Sequence, residues 1–166
     1  MRLEAILVST TFAAALASAL VAGTFLAFSS FIMSGLARLP PAQGIAAMQA
    51  VNVTVLGSLF LVTFLALVPV ALGLGVSAFA VPAAVEARPW LASAGVIYTL
   101  GAFAVTMVFN VPRNDALAAL DPGSAEAAAR WADYLSSWTA WNHVRTGASA
   151  LAAVLYAMSL LRLTGK

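Results

Sequence analysis

The polar chemistry of this 166-residue sequence is concentrated around its only histidine, His143. An imidazole can take up and release a proton near neutral pH, so His143 can act as a general base. Asn142 and Arg145 lie beside it in an apolar run, and an amide or a guanidinium can stabilise a negative charge on a reacting group. Ionisable residues inside apolar spans are costly and usually face a bundle interior or a cavity. These three residues therefore form the first candidate site.

Other kinds of site lack the residues that they need. The sequence has no cysteine, which excludes disulfides, thiolate metal sites and cysteine nucleophiles. One histidine cannot supply the three or four ligands of a zinc or iron site. There is no Gly-rich phosphate loop, no G-x-S-x-G element and no basic run that would indicate nucleic acid. We therefore expect no metal and no cofactor, with a haem on one axial histidine left as an open alternative.

Composition places these residues in a membrane. The chain is 63% hydrophobic and 8% charged, with a mean hydropathy of +0.98, whereas soluble domains carry roughly 25% charged residues. Long apolar segments without period-two alternation favour helices over a β-barrel. The prediction is a single-domain, all-α integral membrane four-helix bundle, with a short interfacial helix in the connection 112–133. The predicted spans, each about as long as a membrane helix or longer, cover residues 3–36, 45–80, 90–109 and 135–161. The first is too long for a signal-peptide core, so we expect it to be retained.

Four successive spans bring the first and third connections to one end of the bundle. That end contains every Asn and Gln of the chain and three of its four tryptophans: Gln43, Gln49, Asn52, Asn110, Asn114, Asn142, Trp131, Trp138 and Trp141. Amides and tryptophans also decorate ordinary membrane interfaces. That alternative does not explain Asn52 or Arg145, which lie inside apolar stretches. We therefore expect a pocket at this end.

Helical spacing divides the fourth span into two polar faces. One contains Trp131, Tyr134, Trp138, Asn142 and Arg145, and the other contains Ser136, Thr139, His143, Thr146 and Gly147. The small hydroxyl residues beside His143 suit an interior wall with room for a ligand, so we expect the His143 face to line the interior. The aromatic face would then meet the interfacial helix. Further stripes on the second and third spans lead to the same end: Gln49, Asn52, Leu56 and Thr63, and Thr99, Phe103, Thr106 and Asn110.

Three stretches together resemble the anthrone oxygenase-like family of small membrane proteins. They are Gly44 to Asn52 (GIAAMQAVN), Phe109 to Leu117 (FNVPRNDAL) and Trp131 to Thr146, with the pattern W-x2-Y-x3-W-x2-WNHVRT. The sequence departs from the family at Met33 to Leu36, where a proline commonly precedes the glycine. The resemblance implies oxidation of an anthrone-type polyketide to a quinone with O₂, without flavin or metal.

Roles for individual residues follow from that chemistry. His143 would remove the benzylic proton, Asn110 or Asn142 would donate to the enolate oxygen, and Arg145 would stabilise its charge. Pairing of Arg145 with Asp115 or Asp133 is an equally open structural role. Asn114 and Asp115 are expected to cap the short helix that follows Pro112. The expected substrate-binding residues are Gln49, Asn52, Phe103, Thr106, Trp138 and Trp141.

The leading hypothesis is a membrane-embedded oxygenase or oxidoreductase for a lipophilic aromatic, anthrone- or quinone-like substrate. The alternative is a non-catalytic membrane module that binds a small lipophilic ligand or a partner protein; a transporter ranks third. Expected partners are a lipophilic small molecule and membrane lipid, with a homo-oligomer left open. If Arg145 is buried, the basic residues favour cytoplasmic termini, here in a bacterial inner membrane.

Overall fold

The computed structural model describes residues 2–165, with Arg2 given by its backbone alone. Four helices are long and apolar enough to cross a membrane, and we number them spans 1 to 4: Leu3–Leu36, Leu59–Ala80, Arg88–Ala118 and Ala127–Thr164. Large apolar side chains cover their outer surfaces, where Phe12 is 62% and Phe79 66% exposed. Such an exterior suits lipid. The chain is therefore an all-α integral membrane protein, as predicted; the charges of Arg2 and Lys166 lie outside the described side chains.

The described residues form seven α-helical elements, of which all except the third lie in the spans. These are α1 (Arg2–Ala27), α2 (Met33–Leu36), α3 (Pro41–Thr54), α4 (Leu59–Ala80), α5 (Arg88–Ile97), α6 (Val111–Ala118) and α7 (Ala127–Thr164). The segment Phe28–Ile32 joins α1 to α2, and Tyr98–Ala104 and Thr106–Asn110 join α5 to α6; all three are π-helical. Span 1 packs against spans 2 and 4, and span 3 packs against the same two, so the four spans form a ring in chain order.

The buried residues of the spans follow a coiled-coil spacing. Along α7 they alternate at intervals of three and four: Trp131, Tyr134, Trp138, Asn142, Arg145, Ser149, Ala152, Tyr156 and Ser159. This repeat keeps one seam of the helix against its neighbours over the whole length. Small residues let the helices approach closely in lipid. A Cβ added at Gly95 would lie 2.7 Å from the Ala71 carbonyl oxygen, so spans 2 and 3 touch through their backbones.

The π-helical turns change which residues of span 3 face inward. Tyr98, Ala102 and Asn110 are fully buried, and Thr106 is half-buried. In the first half of the predicted stripe of Thr99, Phe103, Thr106 and Asn110, the residues Thr99 and Phe103 are half-buried, and the fully buried positions belong to their neighbours Tyr98 and Ala102. A π-helical turn closes i to i+5 hydrogen bonds and holds more residues than an α-helical turn. The 100° spacing used for the prediction does not apply there.

The second predicted span, 45–80, is two helices. A 3₁₀ turn at Val55–Gly57 ends α3, and Ser58 is extended, with φ −90° and ψ 152°. The Ser58 side chain then caps α4 by accepting a hydrogen bond from the Leu61 N–H at 3.2 Å. Span 2 therefore begins at Leu59. Pro69, where a kink was expected, lies inside α4 without ending it.

A headpiece projects from one end of the bundle. Since α7 has 38 residues, it is about 57 Å long and exceeds the ~30 Å hydrocarbon core of a bilayer. We define the headpiece as α2, α3, α6 and residues 127–138 of α7. Its own core contains Met33, Ile45, Met48, Leu117, Ala127, Trp131, Tyr134 and Trp138. The short helix of the third connection is α6, which forms the last eight residues of span 3. The Ala-rich stretch after Pro122 and Gly123, predicted to form it, belongs to α7 instead.

Candidate functional site

A buried polar group lies where the core of the spans meets the core of the headpiece. It contains Asn110 and Asn142, both 0% exposed, and Arg145, 5% exposed. We call these three residues, with Ser29 and Thr106, the Arg145 cluster. At ~1.5 Å per residue, Arg145 lies about 25 Å along α7 from Arg162. With a hydrocarbon core of ~30 Å, the cluster lies near the boundary between lipid and headpiece.

The Arg145 guanidinium is held by neutral groups. It lies over the Phe25 ring at 4.2 Å and the Trp138 ring at 4.9 Å from the centroids. Its Nη2 donates to Asn142 Oδ1 at 2.6 Å, and Nη1 donates to Thr106 Oγ1 at 3.3 Å. Within residues 3–165 no carboxylate forms an ion pair with it. The predicted pairing with Asp115 or Asp133 is therefore wrong, because both carboxylates are exposed on the headpiece.

Asn142 ties the cluster to span 1. Its Nδ2 donates to the Phe25 carbonyl at 2.8 Å and to Ser29 Oγ at 2.7 Å. Ser29 Oγ also lies 3.1 Å from Thr146 Oγ1. Ser29 belongs to the π-helical segment of span 1, and π-helical turns occur frequently at functional sites. Phe25 and Ser29 were not predicted as site residues, since nothing in the apolar run 3–36 distinguishes them.

Two buried polar atoms of the cluster have no hydrogen-bond partner. Asn110 donates through Nδ2 to the Trp138 carbonyl at 3.2 Å, but its Oδ1 is unpaired. The Nε of Arg145 is unpaired as well. An unmade hydrogen bond of a buried group costs about 1–3 kcal/mol. The cluster can therefore still accept one hydrogen bond and donate another, which is a capacity for a bound polar molecule.

An aromatic ladder connects the cluster to the headpiece. The rings of Trp131 and Tyr134 are stacked with centroids 5.6 Å apart, and those of Tyr134 and Trp138 are 6.1 Å apart. Asn114 Oδ1 accepts from the Tyr134 hydroxyl at 2.9 Å and from Trp138 Nε1 at 2.8 Å. Asn114 and its neighbour Asp115 were predicted to cap the short helix. They lie inside α6, whose N-cap position is Asn110, and Asn114 instead orients the two rings.

The predicted residues of α3 join the ladder. Asn52 lies close to the Tyr134 hydroxyl, and its Nδ2 is buried without a hydrogen-bond partner. Gln49 Nε2 donates to the carbonyls of Leu117 at 2.8 Å and Leu120 at 3.0 Å. Gln49 thus binds two carbonyls at the C-terminal end of α6 and just beyond it, and fixes α3 against this end.

His143 is placed differently from the prediction. Its side chain is exposed, as are Ser136 and Gly147 on the same face, and Thr139 and Thr146 are half-buried, whereas Asn142 and Arg145 are buried. The prediction that the His143 face lines the interior is wrong. Both polar faces of α7 show helical spacing, so spacing alone does not determine which one is buried. The large aromatic residues of the other face fill the headpiece core, and that face therefore points inward.

Two further predicted substrate residues lie apart from the cluster. Trp141 is half-buried and stacks on Phe109, with ring centroids 3.6 Å apart and planes inclined by 5°. Phe103 packs in the core of the spans, 6.3 Å from Phe64 between centroids. The structure therefore brings together Asn110, Asn142, Arg145, Thr106 and Trp138, but separates them from His143, Trp141 and Phe103.

Comparison with known proteins assigns the chain to a family. The family model described as anthrone oxygenase matches residues 68–155, more than half of the sequence. The match runs from the middle of α4 into the last third of α7 and includes Asn110, Asn142 and Arg145. No curated protein and no solved structure matches the chain. The chain belongs to the anthrone oxygenase family.

Proposed function

We propose that this protein is a membrane-embedded oxygenase that oxidises a lipophilic aromatic, anthrone-like substrate with O₂ at the Arg145 cluster. The observation that carries the proposal is the buried Arg145 cation, which has no carboxylate partner among the described residues. Taking such a charge out of water costs several kcal/mol, and neutral hydrogen bonds offset this only in part. A bound anion would supply the missing opposite charge. The enolate of an anthrone is such an anion, and family membership supports this choice.

The proposed reaction converts the substrate methylene and one O₂ into a ketone and one water. The substrate methylene loses a proton to a hydroxide ion from the water at the membrane interface, which thereby becomes the one water formed. The substrate becomes an enolate with its negative charge largely on oxygen. O₂ accepts electrons from the enolate and forms a C–O bond at the former methylene carbon. The O–O bond then breaks, the second C–H bond is lost, a ketone is formed and hydroxide is returned. The enolate supplies the electrons itself, so the proposal needs no cofactor.

In this mechanism the chain supplies charge stabilisation and a dry site. Arg145 donates to the enolate oxygen through Nε, which has no partner in the protein. Asn110 Oδ1, also unpaired, accepts a hydrogen bond from a hydroxyl of the substrate. The rings of Phe25 and Trp138 exclude water, which strengthens both interactions.

The general base that we predicted, His143, points away from this cluster. Consecutive side chains of a helix are 100° apart, so positions 143 and 145 face nearly opposite directions. We therefore assign the main contribution to Arg145 and expect His143→Ala to retain turnover. A loss of about 10²–10⁴-fold in that variant would instead support a general base at position 143.

The test is O₂-dependent quinone formation by the purified protein in lipid nanodiscs. Anthrone is added with and without O₂, and quinone absorbance is compared with O₂ consumption; one O₂ per quinone is expected. Arg145→Met should lower kcat by about 10²–10³-fold, the usual loss when one oxyanion donor is removed. Arg38→Met, which alters an exposed residue at the same end of the bundle, should not. A visible spectrum of the same sample tests for haem.

A second candidate function is supported by the internal hydrogen bonds. Asn142 is fully engaged by Phe25, Ser29 and Arg145, and Asn114 by two aromatic rings. Polar groups that satisfy one another in this way suit a non-catalytic module that binds a small lipophilic ligand or a partner protein. If the folded wild-type protein forms no quinone but binds anthrone, this candidate is favoured and the oxygenase proposal is rejected.

A further inference from the structure

A charged groove of about 400 Å³ opens on the headpiece between α6 and the start of α7. Its rim contains Arg113, Glu126, Arg130 and Asp133, and Tyr134 and Ser137 form part of its wall. In the part of the chain that the structure describes, the charged groups of Glu126, Arg130 and Asp133 make no hydrogen bond or ion pair. Three charged groups thus face one groove without partners, and the proposed reaction uses none of them.

The deeper end of the groove lies at the level of lipid headgroups. At ~1.5 Å per residue, Ser137 is about 37 Å along α7 from Arg162, and Arg113 lies at the same depth because its Nε donates to Ser137 Oγ. The hydrocarbon core of a bilayer is ~30 Å thick, and the bilayer with its headgroups is ~40–45 Å thick. Arg113 and Ser137 therefore lie just outside the hydrocarbon, where lipid phosphates are found.

Arg113 is oriented for an anion at this depth. Its Nε donates to Ser137 Oγ at 3.0 Å and its Nη1 donates to the Phe109 carbonyl at 2.7 Å. These bonds fix the guanidinium, and Nη2 makes no hydrogen bond with the described protein. A fixed guanidinium with a free N–H group suits a phosphate oxygen.

We propose that this groove binds the headgroup of a phospholipid that carries a primary ammonium group, as in phosphatidylethanolamine. The phosphate binds at Arg113, and the ammonium group lies farther out, between the carboxylates of Asp133 and Glu126. Asp133 is one helical turn, about 6 Å, above Ser137 on α7, so the acidic groups lie on the outer side of the phosphate, as the headgroup requires. The two carboxylates outnumber Arg130, the one cation beside them in the outer part of the groove, so this part disfavours a purely anionic headgroup, and a quaternary amine cannot donate hydrogen bonds to the carboxylates.

The experiment is native mass spectrometry of the detergent-purified chain with three phospholipids of identical acyl chains. Their headgroups are phosphoethanolamine, phosphocholine and phosphoglycerol. The wild type should bind the ethanolamine lipid about tenfold more tightly than the other two, a difference of about 1.4 kcal/mol. Asp133→Asn changes an exposed, unpartnered side chain, so it should fold normally and lose the preference. Arg113→Met should weaken binding of all three lipids, and Arg38→Met should bind like the wild type.

Two results would overturn the proposal. One is equal binding of the three lipids by the wild type, or an unchanged preference in Asp133→Asn. The other is displacement of the lipid by an equal concentration of free phosphoethanolamine, because the ligand would then be a soluble molecule. Neither result depends on O₂ turnover, so the lipid site and the oxygenase proposal can fail separately.

Discussion

Arg145→Met is expected to leave the protein about as stable as the wild type, because the interactions lost are offset by relief of desolvation. The losses are two desolvated cation–π contacts of up to about 2 kcal/mol each, one short, charge-assisted hydrogen bond to Asn142 of about 1.5–3 kcal/mol, and a longer, weaker one to Thr106. Against these, the unpaired buried guanidinium itself costs several kcal/mol. Met has a similar length and packs well against aromatic rings. We expect the free energy of unfolding to change by no more than about 2 kcal/mol.

Asn142→Leu, which removes the partner of the guanidinium and keeps the charge, should be far more destabilising than Arg145→Met. It removes the 2.6 Å acceptor of the Arg145 guanidinium and the donor to the Phe25 carbonyl, but leaves the cation buried. Removing the partner of a buried charge costs about 3–5 kcal/mol. Adding Arg145→Met to this variant should therefore recover stability, since the charge that lost its partner is then gone.

Unfolding in mixed micelles, followed by tryptophan fluorescence, measures these differences. Three of the four tryptophans, Trp131, Trp138 and Trp141, lie on α7 together with Arg145, and the Trp138 ring contacts the guanidinium, so the signal reports on the perturbed helix. The double variant should be more stable than Asn142→Leu alone, which is a strong departure from additivity. A loss of 3–5 kcal/mol in Arg145→Met would show that the guanidinium mainly holds the fold together, and the argument from its unpaired charge would be refuted.

Two further outcomes are expected. Gly44→Ala should destabilise the headpiece by about 1–3 kcal/mol, because its Cβ would lie 2.8 Å from the Trp131 ring. The control is Gly35→Ala, whose Cβ would have nothing within 4 Å and which should be neutral or slightly stabilising. Equal effects of the two variants on the unfolding midpoint would contradict this expectation. If the buried Arg145 is not counted, the sequence assigns four basic residues to the end with both termini and three to the other end. Because the more basic end of a membrane protein usually faces the cytoplasm, we expect cytoplasmic termini. In this cysteine-free chain, Ala128→Cys should react with an impermeant maleimide added to intact cells and Thr164→Cys should not; the opposite labelling would reverse the orientation.

Hydropathy was sufficient to predict the membrane bundle, because lipid demands long apolar helices and satisfied backbone groups. It was not sufficient to predict where the second span begins. The run 45–80 contains no charge, yet Ser58 caps a new helix within it. Capping depends on one side-chain oxygen reaching one N–H group, and a hydropathy average does not register that contact.

Periodicity separated the two faces of α7 but did not show which one is inside. In water the apolar face is buried, so period and hydropathy together determine orientation. In lipid an apolar face is equally stable against the bilayer or against another helix, so the packing of side chains determines which face of the helix points inward. The volume of Trp131, Tyr134 and Trp138 fills the headpiece core, and this brought Arg145 inward and left His143 outside. The identity of the polar residues at the site was therefore predictable, and their arrangement was not.

The site is composite, and this bears on what family membership implies for its chemistry. The matched residues 68–155 supply Asn110, Asn142 and Arg145, but the ring beneath the guanidinium and both acceptors of Asn142 Nδ2 come from Phe25 and Ser29 of span 1. The charge of Arg145 and the exclusion of water around it thus have different origins in the chain. An activity based on that charge requires span 1 to be docked, since a guanidinium open to water loses most of its electrostatic effect.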